Sequence, residues 1–214
     1  SLGGVWKSGK IKAHVFPAGT DAGAVLDAAL DSGGYTTAAD LAFYATPPAL
    51  AERMVRLAGI TKDSFVLEPS AGDGAIARVV RATGARMQCF EIDEKRHKKL
   101  YDDGYVSCSA DFLKVDPTGF PAFDAVVMNP PFALVGQPQA DLDHVNHAAM
   151  FLRPGGVIVA TVAGGILYRK NSRSAAFRAM VEVRGGTIEA LPDETFKTSG
   201  TDVCTALVTF RAPA

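Results

Sequence analysis

The 214-residue chain is predicted to fold as an α/β domain, a Rossmann-like seven-stranded mostly parallel sheet with an antiparallel last strand and helices on both faces. Three observations predict it. From residue 64 onward, short apolar runs alternate with helix-length stretches, the pattern of right-handed βαβ crossovers. The turn after the first of these runs is glycine-rich and leads straight into a helix pattern. The last two apolar runs have no helix between them, so a hairpin joins them and the final strand runs backwards.

The elements follow in order. Over residues 1–40 periodicity is weak, with Lys7, Lys10, Lys12 and His14 among Gly, Ser and Pro. This part reads as an N-terminal arm with one short helix over 21–31, its basic residues either solvated or touching phosphate. The folded domain is expected over 41–214. It opens with a helix for which Thr46 is the expected N-cap and Pro47 the first helical position, with Leu50, Met54, Val55, Leu57 and Ala58 as its apolar face and Gly59 as its stop. Glu52 near its start suits the helix dipole. Strands are expected over 65–67, 86–90, 105–108, 125–128, 157–162, 187–191 and 203–210. Helices are expected over 75–83, 94–101, 141–152 and 174–183, the third stopped by Pro154-Gly155-Gly156.

Composition narrows the functional classes. With 48% hydrophobic and 21% charged residues the chain is ordinary for a soluble domain, and its net charge of −1 excludes a general polycation. Any nucleic-acid contact must come from local patches. Cys89, Cys108 and Cys204 are odd in number and lie within or beside apolar runs, so buried free thiols in a reducing, cytoplasmic setting are expected. No run reaches the ~18 apolar residues of a membrane span. Ser1-Leu2-Gly3-Gly4, without Met, reads as a cloning scar rather than a signal peptide. His144 and His147 have only Asp141 and Asp143 nearby at ligand spacing, so no metal site is expected.

Four segments carry chemistry, each at the carboxyl end of an expected strand. Leu67-Glu68-Pro69-Ser70-Ala71-Gly72-Asp73-Gly74 is a cofactor loop by context: its glycines permit close backbone approach, and the following helix offers free N–H groups. It has two carboxylates, no Lys, and neither dinucleotide nor P-loop spacing, so phosphate would be repelled. The ligand implied has a cationic part and a carboxylate, as does the methionine end of S-adenosylmethionine. Glu91, at the end of the second strand beside Ile92, suits ribose hydroxyls, or is a solvated surface Glu. Asp111 and Phe112, after the third, suit an adenine amine and ring, or Asp111 caps a turn. Asn129-Pro130-Pro131-Phe132, after the fourth, is an acceptor corner. Two prolines lack N–H groups, which leaves the carbonyls of Asn129 and Pro130 free, and the Asn129 amide oxygen lies beside them. That corner fits an exocyclic amine with two N–H donors, and Phe132 offers a face for a planar ring.

From Phe43 to Phe210 the chain resembles the class I S-adenosylmethionine-dependent amino-methyltransferases, most closely the DNA adenine-N6 group. The residues that carry the resemblance are Tyr44-Ala45-Thr46-Pro47, the loop from Glu68 to Gly74, Glu91, Asp111-Phe112 and Asn129-Pro130-Pro131-Phe132. It implies that Tyr44 and Thr46 lie against the cofactor's methionine end and that Glu68, Ser70, Ala71, Gly72 and Gly74 wrap it. Glu91 with Ile92 and Asp111 with Phe112 would hold ribose and adenine, and Asn129 would face cofactor and substrate alike. The order of these motifs is that of many restriction-modification methyltransferases.

Under that resemblance, the corner activates a poor nucleophile. Asn129 and the Pro130 carbonyl would hold the amine hydrogens out of the ring plane, so the lone pair localises for in-line attack on the sulfonium methyl. A base in duplex DNA would be flipped out onto Phe132, with Phe196 as a second face or merely a loop anchor. Arg169, Lys170 and Arg173, with Arg178, follow the 157–162 strand on the same rim and are candidates for backbone phosphates. The cluster Lys95-Arg96-His97-Lys98-Lys99 reads as a solvated helix face. With no separate recognition domain visible, target choice falls to the 133–140 loop and the arm, or to a specificity subunit or further domain. Methylation of an RNA base or a protein glutamine needs the same corner, and a catalytically idle cofactor-binding subunit is the remaining alternative.

Overall fold

The structure, a computed structural model, describes residues 44–134, 137–196 and 204–213, and the backbone of 5–7 and 13–15. The expected helix over 21–31, Lys10 and Lys12, the 197–203 stretch and positions 135–136 lie outside the described residues, as do the side chains of Lys7 and His14. A short antiparallel pair, β1 (Val5–Lys7) and β2 (Ala13–Val15), precedes α1 (Pro48–Leu57). Then come β3 (Phe65–Glu68), α2 (Ala75–Ala82), β4 (Arg86–Glu91), α3 (Glu94–Asp102), β5 (Ser107–Ser109) and β6 (Phe123–Met128). After a two-residue pair, β7 (Ala133–Leu134) and β8 (Gln137–Pro138), follow α4 (Ala140–Ala149), β9 (Leu152–Ala163), α5 (Ser172–Val183), β10 (Thr187–Ala190) and β11 (Thr205–Arg211).

Seven of these strands form one sheet in the order β10-β11-β9-β6-β3-β4-β5. β11 runs antiparallel to both neighbours, β9 and β10, while β9, β6, β3, β4 and β5 pair in parallel. The chain winds outward from β3 to β5 and then returns to place β6 on the other side of β3. Strand order therefore reverses between β3 and β6, and a crevice opens at their carboxyl ends.

Period-2 alternation sends successive side chains to opposite faces. Leu67, Met128, Ile158 and Val208 join the cluster on the α4 and α5 side, with Phe90, Phe123 and Phe210. Val66, Val127, Val159 and Leu207 pack instead with Leu50 and Met54 of α1 and Ile76 and Val80 of α2. Both faces are covered, as a parallel sheet requires. β3 is further tied to β6 by Phe65 stacking on Phe123 at 4.4 Å and by the Phe65 N–H donating to Asp124 Oδ2 at 2.7 Å. That bond, then Arg153, holds the Asp124 carboxyl below the usual carboxylate range.

Several elements differ from expectation. α1 starts at Pro48, with Pro47 extended (ψ 142) in the cap position and no side-chain cap. A residue before proline is kept out of the helical region, so Pro48 shifts the start by one and frees the Thr46 hydroxyl. Glu52 consequently falls in the second turn, where it pairs with Arg56 at 3.9 Å. α4 stops at Ala149, and Pro154-Gly155-Gly156 lies inside β9. The irregularity in pairing between Phe123↔Leu152 and Ala125↔Val157 absorbs these residues. β5 begins at Ser107, because the Tyr105 N–H closes the end of α3 on the Leu100 carbonyl at 3.0 Å. All three cysteines are free thiols, but only Cys89 is buried; Cys108 is half-buried and Cys204, just ahead of β11, is exposed.

Close approach fixes the connection from α5 into β10. A Cβ on Gly186 would meet Thr209 O at 2.4 Å and Phe210 Cβ at 2.6 Å. Gly186→Ala is expected to lower the unfolding free energy by about 1–3 kcal/mol in urea titrations. Gly119→Ala, where the added carbon meets nothing within 4 Å, should be nearly neutral.

Candidate active site

A cavity of about 290 Å³ opens at the carboxyl ends of β3, β4, β5 and β6, near the lower end of the size range of small-molecule sites. Every residue expected to bind a cofactor lines it except Gly74. Gly74 works behind the wall: at φ 81 it precedes α2 and closes the turn by donating to the Ala71 carbonyl at 2.8 Å. Gly72, at φ 56, also needs the left-handed region. The loop is pinned to β4 by the Ala71 N–H donating to Phe90 O at 2.9 Å and the Gly72 N–H donating to Glu91 Oε2 at 2.7 Å.

Acidic groups crowd this end of the cavity. Glu68 is 1% exposed, and its Oε2 has no hydrogen-bond partner among the described residues. Burial, and then the nearby Asp73 and Glu91, push its carboxyl well above the usual range. Glu91 is buried but well bonded: besides Gly72 it accepts from the Asp93 N–H at 2.8 Å and from Arg96 at 3.1 Å. Four lone-pair sites on a carboxylate leave it room for a further donor. A solvated surface Glu it is not.

Asp111 caps a turn and also faces the cavity. Its Oδ1 accepts from the Leu113 N–H at 3.2 Å, at the start of the 3₁₀ turn Phe112–Lys114. Phe112 is held in an aromatic cluster with Phe90 (5.5 Å), Phe151 (5.1 Å) and His147 (4.9 Å), so only part of it faces the cavity. The sequence reading passed over His144, weighed only as a metal ligand. It is 6% exposed, lines the cavity beside Phe112, and bonds through Nδ1 to the Ala140 carbonyl at 2.8 Å. Because a carbonyl only accepts, Nδ1 carries the proton; burial lowers the imidazole's pKa and keeps it neutral. Only the packing of α4 against the turn after β5 could reveal this placement. His147 donates instead to the Val115 carbonyl at 3.0 Å. Asp141, raised by burial to about 6, accepts from the Ala163 N–H at 2.7 Å and fastens α4 to the end of β9.

At the opposite end, Asn129 Nδ2 donates to the Tyr44 carbonyl at 2.8 Å and to Thr46 Oγ1 at 3.1 Å, and Asn129 Oδ1 accepts from the Thr161 hydroxyl. Pro131 lines the cavity, whereas Pro130 and Phe132 stand behind it. Phe132 stacks on Tyr44 (6.0 Å, 19°) and meets Phe196 edge-on (6.1 Å, 89°). Phe196 is 1% exposed and belongs to the α1-side core, so it has the place of an anchor rather than a free second face.

The expected phosphate contacts separate into two groups. Arg169 and Lys170 are exposed past the end of β9, outside the cavity. Arg173 is paired with Asp143 and donates to the Gln139 carbonyl, and Arg178 donates to the carbonyls of Ile166 and Arg169. On α3, Lys98 and Lys99 pair with Asp102 and Asp103 along a solvated face. Among the described residues, no helix is long and apolar enough to cross a membrane.

Over 96 residues the chain is 40% identical to the type II methyltransferase M.TthHB8I of Thermus thermophilus, covering 43% of this chain and 21% of that protein. It superimposes on the type I restriction enzyme EcoKI M protein with a TM-score of 0.65 at 19% identity, covering 81% of this chain and 44% of that one. It also superimposes on a Listeria monocytogenes protein described as a class I S-adenosylmethionine-dependent methyltransferase, with a TM-score of 0.62 at 15% identity and coverage of 89% and 67%. The fold is that of the class I S-adenosylmethionine-dependent methyltransferases. No family model matches the chain. The chain spans about a fifth of the length of that type II methyltransferase and under half of the EcoKI subunit.

The raised Glu68 pKa has a stability signature. Native Glu68 holds its proton to higher pH than the unfolded chain does, so raising the pH above the unfolded value costs stability, and that cost is absent in acid. Glu68→Gln should therefore melt above the wild type near pH 8 and converge with it near about pH 4, as read by thermal melts without ligand.

Proposed function

We propose that this chain is the catalytic and cofactor-binding domain of an S-adenosylmethionine-dependent methyltransferase acting on an exocyclic amine, N6 of adenine in DNA. One observation carries the reading: Glu68, whose buried Oε2 has no hydrogen-bond partner among the described residues, and Asn129 and Pro131 of the acceptor corner line one crevice. An orphaned carboxylate oxygen crowded by Asp73 and Glu91 suits a cation and repels phosphate. The residues present thus fit the sulfonium and amino end of S-adenosylmethionine. Glu68, Ser70, Ala71 and Gly72 would hold that end with Tyr44 and Thr46, while Glu91, Ile92, Asp111 and Phe112 would hold its nucleoside. Bound there, the cofactor supplies a methyl group activated by positive sulfur.

The chain's own residues do the rest. Asn129 Oδ1 and the Pro130 carbonyl accept the two hydrogens of the target amine, which localises its lone pair. Their dipoles then stabilise the positive charge that grows on nitrogen, each by about 2–4 kcal/mol. Phe132, 6% exposed, stacked with Tyr44 and braced edge-on by Phe196, stiffens the acceptor corner from behind rather than offering the free face expected of it.

DNA as substrate is supported by likeness to a type II methyltransferase and to the M protein of a type I restriction enzyme. The exposed Arg169 and Lys170 on the same rim suit phosphate contacts. Target choice is assigned to a further domain or a specificity subunit, and the setting to the cytoplasm.

The test is labelled S-adenosylmethionine with adenine-containing duplex DNA, ribosomal RNA and protein extract in parallel. The expected product is N6-methyladenine in DNA, and label in RNA or protein alone would overturn the substrate. Asn129→Ala should lose turnover by ~100-fold or more while keeping affinity for S-adenosylhomocysteine within ~3-fold in calorimetry. Full activity in that variant would refute the mechanism.

A further inference from the structure

We propose that Thr161 is the positioning residue that aims the Asn129 carboxamide, an inference that rests on the function proposed above. On β9 the residues facing α1 and α2 are Val157, Val159 and then Thr161, all buried and the last 0% exposed. Valine has nearly the shape of threonine and would continue the row without cost, whereas a hydroxyl in that setting destabilises unless it is bonded. The bond it makes is to Asn129 Oδ1.

Orientation of the amide follows from elementary donor and acceptor rules. The Tyr44 carbonyl can only accept, so the atom 2.8 Å from it is Nδ2, whose second hydrogen goes to Thr46. The oxygen therefore faces Thr161. Since Oδ1 cannot donate, the Thr161 hydroxyl must. Three separate segments, 44–46, the end of β6 and the end of β9, thus hold one planar group at both ends.

The last torsion of asparagine is soft and roughly two-fold, so Tyr44 and Thr46 alone tether only the nitrogen end. Thr161 removes the remaining freedom. It takes one lone pair of Oδ1 and leaves the other in a fixed direction for an incoming N–H.

Two variants of the full chain test this, with two readouts. Thr161→Val keeps the shape and removes the donor, and Thr161→Ser keeps the donor. In the valine variant kcat is expected to fall ~10–100-fold with the Kd for S-adenosylhomocysteine within ~2-fold, and serine should restore turnover to within ~3-fold of wild type. By ¹⁵N–¹H NMR, the two Asn129 Nδ2 protons should give separate, slowly exchanging signals in the wild type and Thr161→Ser, and broadened, shifted ones in Thr161→Val. Unchanged turnover in Thr161→Val, a serine variant as poor as valine, or parallel loss of turnover and cofactor affinity would each overturn the proposal. If the wild type methylates nothing, the functional reading fails, and the amide signals alone decide whether Thr161 fixes Asn129.

Discussion

The parallel pairing of β3 with β6 is the constraint on which the rest of the molecule depends. Only two register pairs record it, Val66↔Ala125 and Leu67↔Val126, reinforced by the Phe65–Phe123 stack and the Asp124 side chain. Because these strands are neighbours in space but far apart in the chain, their carboxyl ends bring Glu68 and Asn129 to one crevice. Sliding β6 by one residue would turn Val127 and Met128 to the wrong faces and remove both layers of core. The apolar row that secures the register thus also sets where the acceptor corner stands.

Charge is arranged unevenly around that crevice. Asp73 and Glu91 stand close enough to raise the proton affinity of Glu68, yet the three carboxylates are placed differently. Glu91 is surrounded by N–H donors and Arg96, and Asp73 lies 3.8 Å from Arg78 near solvent. Of these three carboxylates, Glu68 alone keeps a buried oxygen with no hydrogen-bond partner among the described residues. A buried carboxylate in that condition costs stability, and a cationic ligand offsets the cost. Such a site destabilises the ligand-free chain and strengthens what it binds.

The acceptor end relies on hydrogen bonds and aromatic packing instead. Asn129 is gripped from both sides, and Phe132 is wedged between the Tyr44 face and the Phe196 edge. Tyr44 therefore serves twice, through its carbonyl to the amide and through its ring to the aromatic wall. A segment that precedes the sheet in sequence is thereby built into the site at the sheet's rim.

The sequence by itself determined the alternation of strand and helix, the antiparallel last strand and many of the residues that line the crevice, because these follow from local periodicity, turn chemistry and the order of motifs. It also located the acceptor corner, since two prolines free carbonyls whatever surrounds them. Only the tertiary structure decided what each side chain is free to do. Thr46 read as a helix cap because Ser and Thr favour that position, but Pro48 moved the start of α1 and left its hydroxyl to Asn129. Glu91 could have been a surface residue until Gly72, Asp93 and Arg96 closed on it. His144 and Thr161 have no local signature at all, and Phe196, named from its loop as a second face or an anchor, needed packing to decide between the two: such roles depend on contacts between segments far apart in the chain, which no periodicity encodes. For the corner from Asn129 to Phe132, the sequence named candidate acceptor atoms, and tertiary packing fixed the direction of the Asn129 amide.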